Sequence, residues 1–131
     1  ELGHVAREHV WKGAAWFVLF AVPGLALIAW IADRRGGLAD PAQVPVALLC
    51  AFALFIATLP AQNAISRRYE AEADWLALTA TQDAESAIGL EQRFALTNLS
   101  DPTPPGWARM MLGTHPTPLE RIGMALAFDR T

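Results

Sequence analysis

Residues 13–32, GAAWFVLFAVPGLALIAWIA, carry no charged side chain. At about 1.5 Å rise per residue, a helix over this stretch crosses a hydrocarbon core of about 30 Å. Trp11, Trp16 and Trp30 lie near its two ends, where indole rings favour the membrane interface, and Pro23-Gly24 in the middle predicts a kink. A polar turn rich in breakers follows, Asp33-Arg34-Arg35-Gly36-Gly37 through Pro41, after which residues 44–61 are again free of charge. Two such runs joined by a short loop predict a membrane hairpin. The alternative is a soluble bundle that binds an apolar ligand, in which both runs are core helices and take up most of a small fold's interior.

On the N-terminal side, residues 1–12 read as one helix, with apolar Leu2, Val5 and Val10 among polar Arg7, Glu8 and His9. Gly3 inside that helix costs roughly 1 kcal/mol relative to Ala, so its small size points to close packing against something. On the C-terminal side, residues 66–96 are helical, with a break at Gln82-Asp83 where a polar side chain can cap a second helix. Residues 97–131 hold the loop Asp101-Pro102-Thr103-Pro104-Pro105-Gly106, a short helix over Trp107–Leu112, and a last helix to about Phe128. Thr117-Pro118-Leu119-Glu120 is the start of that last helix: a hydroxyl cap, Pro at the first position and Glu at the third. The expected fold is all-α, a two-span membrane hairpin set between polar helices, with residues 1–131 forming part of one domain.

Composition narrows the functional classes. The chain of 131 residues is 53% hydrophobic and only 18% charged, and its net charge of −3 excludes a nucleic-acid surface, which needs clustered Lys and Arg. The single cysteine, Cys50, lies in an apolar run, so there is no intrachain disulfide. Arg7, Lys12, Arg67 and Arg68 flank the spans on one side against Arg34 and Arg35 on the other, which places the polar helices in the cytoplasm. Abundant Ala, with nine arginines against one lysine, suggests a GC-rich bacterial genome and hence the inner (plasma) membrane. The first run is not expected to be a signal peptide, because patterned residues precede it.

The chemistry sits outside the apolar runs. Glu1-Leu2-Gly3-His4, preceded by a histidine, would complete the H-E-x-x-H zinc-protease pattern. Its two imidazoles would share a helix face, with Glu1 beside them as general base. The chain opens on Glu rather than Met, so it is expected to be a processed product or a fragment whose boundary cuts through this motif. On that reading it lacks one metal ligand and is inactive alone. Downstream, Glu70 and Asp74 are again four apart: Glu70 can be the third ligand, and the Asp74 carboxylate can hold a ligand imidazole. Glu72 is turned about 200° from Glu70 on a helix, so both cannot point at one metal. The competing reading of this stretch is an ordinary mixed-charge face built with Arg67 and Arg68. His9, five residues from His4, is off the shared face and reads as a surface or interfacial histidine. The longer pattern H-E-x-x-H-x-x-G-x-x-H is excluded, since Arg7 and Val10 stand where it needs Gly and His. His115 precedes Pro116 and the capped helix carrying Arg121, so it could supply a donor near a developing oxyanion; a purely structural His115 is the alternative.

These segments together resemble the integral-membrane zinc metalloendopeptidases of the CAAX prenyl protease type 1 group, with their bacterial relatives and the heat-shock membrane protease. The resemblance covers nearly the whole chain: Glu1-Leu2-Gly3-His4, a hairpin, then Arg68-Tyr69-Glu70-Ala71-Glu72-Ala73-Asp74 as the family's E-x-x-x-D helix. Asn98-Leu99-Ser100-Asp101-Pro102, and Thr114-His115-Pro116 followed by Arg121, look like its C-terminal segments. What the resemblance implies is a gluzincin site: His4 and Glu70 as Zn2+ ligands, Glu1 as base, Asp74 behind them, and His115 and Arg121 beside the active site. It also implies a peptide or protein substrate met at the membrane lipid, for CAAX-type processing or membrane-protein quality control. The non-enzymatic alternative is a membrane hairpin that serves assembly or partner binding.

Overall fold

A computed structural model describes residues 2–37 and 39–130. Among these, every regular element is a helix: α1 (Leu2–Ala6), α2 (His9–Asp33), α3 (Gln43–Thr81), α4 (Ala84–Thr97), α5 (Gly106–Leu112) and α6 (Pro118–Phe128). The chain divides into two compact units, Val10–Leu59 and the residues on either side of it, that is, those up to His9 together with those from Pro60 onward.

The Val10–Leu59 unit is apolar. The helices that supply it, α2 and α3, are each long and apolar enough to cross a membrane. Phe17, Val22, Leu25, Leu48, Leu49 and Phe52 are each more than half exposed, and the most apolar stretch of either helix buries none of its residues. Nothing among the described residues covers these side chains, whereas a core helix of a soluble bundle has its apolar side chains covered. At the turn, Gly36 and Gly37 take φ values of 112° and 85°, which side-chain-bearing residues rarely adopt, and the Gly37 N–H returns to the Ala32 carbonyl at 2.9 Å. The Arg34 guanidinium lies 4.3 Å over the Trp30 ring, a cation–π contact at the end of the run.

The other unit is built around the polar part of α3. Its small core joins Leu78 of α3, Ala84 of α4 and Ala125 of α6, with Ala87, Ile88, Met124 and Phe128 packed on them. The α3–α4 break falls at Gln82-Asp83 as the sequence suggests, and the Asp83 side chain caps α4 by accepting from the Ser86 N–H at 2.9 Å. Thr117 and Glu120 form the reciprocal capping box of α6, with Pro118 as its first residue.

Two boundaries differ from the sequence expectation. The return run and the Glu70 segment are one helix, because Gln62, Asn63 and Ser66 accept helical geometry and nothing between residues 61 and 66 breaks it. Conversely, the expected single helix over residues 1–12 is interrupted: Glu8 has φ 56°, and α2 starts afresh at His9. The close packing expected of Gly3 is observed. A Cβ at Gly3 would lie 3.0 Å from both Cα and the carbonyl oxygen of Ala73 on α3.

Two substitutions test these features by thermal or denaturant unfolding of the detergent-purified protein. Gly3→Val overpacks against backbone atoms and is expected to destabilise by about 1–3 kcal/mol. Glu8→Gly relieves a left-handed conformation and is expected to be neutral or stabilising by up to about 1 kcal/mol. In an unbroken helix the same glycine would instead cost about 1 kcal/mol.

Candidate active site

The contact of Gly3 with Ala73 lays α1 on the stretch of α3 that carries Glu70, and this brings the two motifs together. His4 Nε2 stands 3.5 Å from Glu70 Oε1. These residues are far apart in sequence and both are partly buried, with side chains 28% and 22% exposed. His115 approaches the same oxygen, its Nε2 at 3.7 Å, from the loop between α5 and α6. Glu1 lies outside the described residues, so its assignment rests on the sequence alone.

Asn63, Arg67, Glu70 and Asp74 recur at intervals of four, three and four on α3 and so share one helical face. The first two hold the C-terminal end of α5. The Asn63 amide donates to the Met110 and Met111 carbonyls at 3.1 and 2.8 Å, and the Arg67 guanidinium donates to those of Arg109 and Gly113 at 3.0 and 2.6 Å. The Met110 and Met111 carbonyls belong to the last turn of a helix, where carbonyls run out of intrahelical donors, while the Arg109 carbonyl also accepts from the Gly113 N–H at 3.2 Å. The segment that leads into His115 is thereby fixed against the helix that bears Glu70. In the sequence Arg67 reads as a span-flanking charge and part of a mixed-charge face, and Asn63 carries no signal of its own; the spacing of both to Glu70 is the available one.

Asp74 and Arg121 pair with each other. Arg121 Nε donates to Asp74 Oδ2 at 2.6 Å, and its Nη2 pairs with Asp74 Oδ1. Its Nη1 stands 3.0 Å from Glu91 Oε1 of α4. The Asp74 carboxylate, read from the sequence as able to hold a ligand imidazole, here binds a guanidinium, and Arg121 directs its donors at two carboxylates. The physical reason is proximity: α3, α4 and α6 each contribute one member, and a planar fork suits bidentate pairing with a carboxylate. The Asp74 pair holds the Arg121 guanidinium above its ordinary range. Burial pushes the Glu91 carboxyl up, Arg121 notwithstanding.

His9 also differs. It is 5% exposed, not a surface residue. Its ring stacks on Tyr69 with centroids 4.5 Å apart and planes 10° apart. Its Nδ1 is 3.1 Å from His4 Nδ1, and its Nε2 is 3.4 Å from Glu72 Oε2. On a straight helix His9 would be rotated about 140° from His4. The break at Glu8 removes that constraint. Glu72 also accepts from Arg68 Nε at 3.0 Å, and this hydrogen bond, above all, holds its carboxyl below the usual carboxylate range.

Among the described residues no group of three His, Cys, Asp or Glu side chains is drawn together to hold a metal ion. The pair that is present nevertheless fits zinc. Ligands at about 2.1 Å in tetrahedral array are separated by about 3.4 Å, close to the 3.5 Å between His4 Nε2 and Glu70 Oε1. The donor types, imidazole nitrogen and carboxylate oxygen, are also those zinc takes.

The sequence pattern of peptidase family M48 matches residues 1–127. A protein of Bacillus subtilis (strain 168), named "Uncharacterized metalloprotease YhfN", is 33% identical over 132 aligned positions, covering 93% of this chain and 31% of that protein. The chain thus spans less than a third of the length of that relative. No solved structure matches the chain.

Two carboxylates around this site predict opposite pH behaviour. Glu91, raised in the fold, favours folding when protonated, so its contribution is lost as pH rises through its elevated value. For Glu120, burial works to raise the pKa, but hydrogen bonds from the Thr117 backbone and Arg109 outweigh it and leave the group lowered. Its contribution is present above the ordinary value of 4.5 and lost as pH falls below it. Between about pH 4 and about pH 7, the Tm of Glu91→Gln relative to wild type should therefore rise, while that of Glu120→Gln should fall.

Proposed function

The chain belongs to peptidase family M48, and from that premise we propose that the intact protein is a zinc-dependent endopeptidase that hydrolyses peptide bonds of membrane-associated proteins. The observation that carries the reading is the meeting of His4 and Glu70, a nitrogen and an oxygen donor brought from distant segments to the spacing of neighbouring zinc ligands. His4 and Glu70 would hold the ion. Bound zinc would supply a Lewis acid that polarises the scissile carbonyl and acidifies a water.

The chain's own groups do the rest. Glu1, three residues before His4, is the general base: it takes a proton from the attacking water and passes it to the leaving amine. His115 is 61% exposed at its side chain and stands beside Glu70, where it can donate to the oxygen of the carbonyl under attack. Its Nδ1 lies 2.8 Å from Thr114 Oγ1, a contact that limits rotation of the ring. Asp74 and Arg121 act as positioning groups, fixing α6 and the helix that bears Glu70 to each other.

The two long apolar helices support a membrane location, and the excess of basic residues at the polar ends favours a site on the cytoplasmic side of a bacterial inner membrane. In that setting quality control of membrane proteins is a more natural task than CAAX processing. Cleavage restricted to prenylated C-terminal peptides, with misfolded membrane substrates ignored, would reverse this preference.

Zinc content and cleavage of a quenched peptide, measured on the intact protein in detergent, test the reading. Wild type is expected to hold near-stoichiometric zinc and Glu70→Ala to lose it. Glu1→Gln should keep zinc and lose cleavage by roughly 10²–10⁴-fold, the usual contribution of a general base. Wild type without zinc, or Glu70→Ala unchanged, would leave the non-catalytic membrane hairpin as the account of this chain.

A further inference from the structure

We propose that His9 is a positioning residue for the metal site: through the chain Glu72–His9–His4 it fixes the tautomer and ring orientation of His4. The inference rests on the zinc reading above and extends it to a residue that its position in the sequence had set aside.

The direction of the hydrogen bonds follows from one end of the chain. Glu72 accepts from Arg68 Nε at 3.0 Å, so its carboxylate is an acceptor. The imidazole nitrogen facing Glu72 Oε2, His9 Nε2 at 3.4 Å, must then carry a proton. In a neutral ring the other nitrogen, Nδ1, has a lone pair and accepts. It faces His4 Nδ1 at 3.1 Å, so that nitrogen is the protonated one on His4. His4 Nε2 is left with its lone pair, directed at Glu70 Oε1 at 3.5 Å. The reverse order would set an unprotonated His9 Nε2 against the Glu72 carboxylate, two acceptors with no proton between them.

The consequence reaches the metal pair. With this tautomer, His4 Nε2 and Glu70 Oε1 are both lone-pair donors with no hydrogen to share, an arrangement that a cation satisfies and a hydrogen bond cannot. Metal-bound imidazoles commonly donate their second N–H to a carboxylate, carbonyl or water, and such partners orient the ligand. Here the partner is a second imidazole, with the carboxylate one step further out. His9 suits the task because it is itself immobilised: it is buried and stacked flat on Tyr69, and the ring of His4 meets it edge-on at 78° with centroids 5.1 Å apart.

The test separates hydrogen bonding from packing. His9→Phe keeps an aromatic ring for Tyr69 but removes both nitrogens. His9→Gln offers an amide oxygen to His4 and an amide N–H to Glu72. Zinc affinity of the intact protein in detergent, measured by competition with a chromophoric chelator, is read beside the Tm of the metal-free protein. The expected result is a loss of roughly 10–100-fold in affinity for His9→Phe, the range seen on removing such partners, with recovery to within several-fold of wild type in His9→Gln and a metal-free Tm within a few degrees throughout. Unchanged affinity in His9→Phe would overturn the proposal. So would equal losses in both variants accompanied by a collapse of the metal-free Tm, which would make His9 a packing residue only. Glu70→Ala, run alongside, keeps the two readings apart: if it binds zinc as wild type does, the assignment of the metal site itself has failed, whatever His9 shows.

Discussion

One guanidinium holds the polar unit together. Arg121, on the last helix, takes both oxygens of Asp74 on α3 and one oxygen of Glu91 on α4. The apolar core beside it is small, with Leu78, Ala84 and Ala125 as its buried members, and a core of that size fixes the angle between helices poorly by itself. A planar cation that must satisfy two carboxylates from two helices supplies the missing direction. It also solves a charge problem, since Asp74 and Glu91 would otherwise face one another across a partly buried gap with no counter-ion.

Around that hub the site is assembled by helix α3 acting as a ruler. Its face at residues 63, 67, 70 and 74 meets, in order, the end of α5, the segment approaching His115, the ring of His4 and the guanidinium of Arg121. Each contact uses a different chemistry: amide to carbonyl, guanidinium to carbonyl, carboxylate to imidazole, carboxylate to guanidinium. The opposite turn of the helix, at Tyr69 and Glu72, holds His9. Groups from α1, α2, the loop after α5, and α6 thus reach one neighbourhood because a single regular helix spaces their partners.

Much of this was legible in the sequence, and what was missed has a physical cause in each case. The apolar runs, the Asp83 cap, the capping box at Thr117 and the small residue at position 3 are local signals, decided by side chains within a few positions of one another. The family likewise showed itself through short motifs in order. Arg121 stands out in the sequence, but its partners are separated from it by whole helices, and no local rule pairs it with Asp74 and Glu91. On a straight helix His9 falls off the face of His4. Glu8, with φ 56°, is not a residue that announces a left-handed turn, so the break that turns His9 toward His4 had no warning in the sequence.

The approach of α1 to α3 restricts how the sequence around this site can change. Of the atoms a Cβ at position 3 would meet, two belong to the backbone of residue 73, its Cα and its carbonyl oxygen, and only the third is a side-chain carbon. Every amino acid carries those two backbone atoms. Shrinking Ala73 to glycine would remove one obstacle and leave the others where they are. In most tight contacts an enlargement on one side can be balanced by a reduction on the other, and lineages drift through such paired exchanges; here no exchange at residue 73 restores the room. A larger residue at position 3 has to be met by moving one helix backbone from the other by a few tenths of an ångström, a shift that no side-chain change at residue 73 replaces.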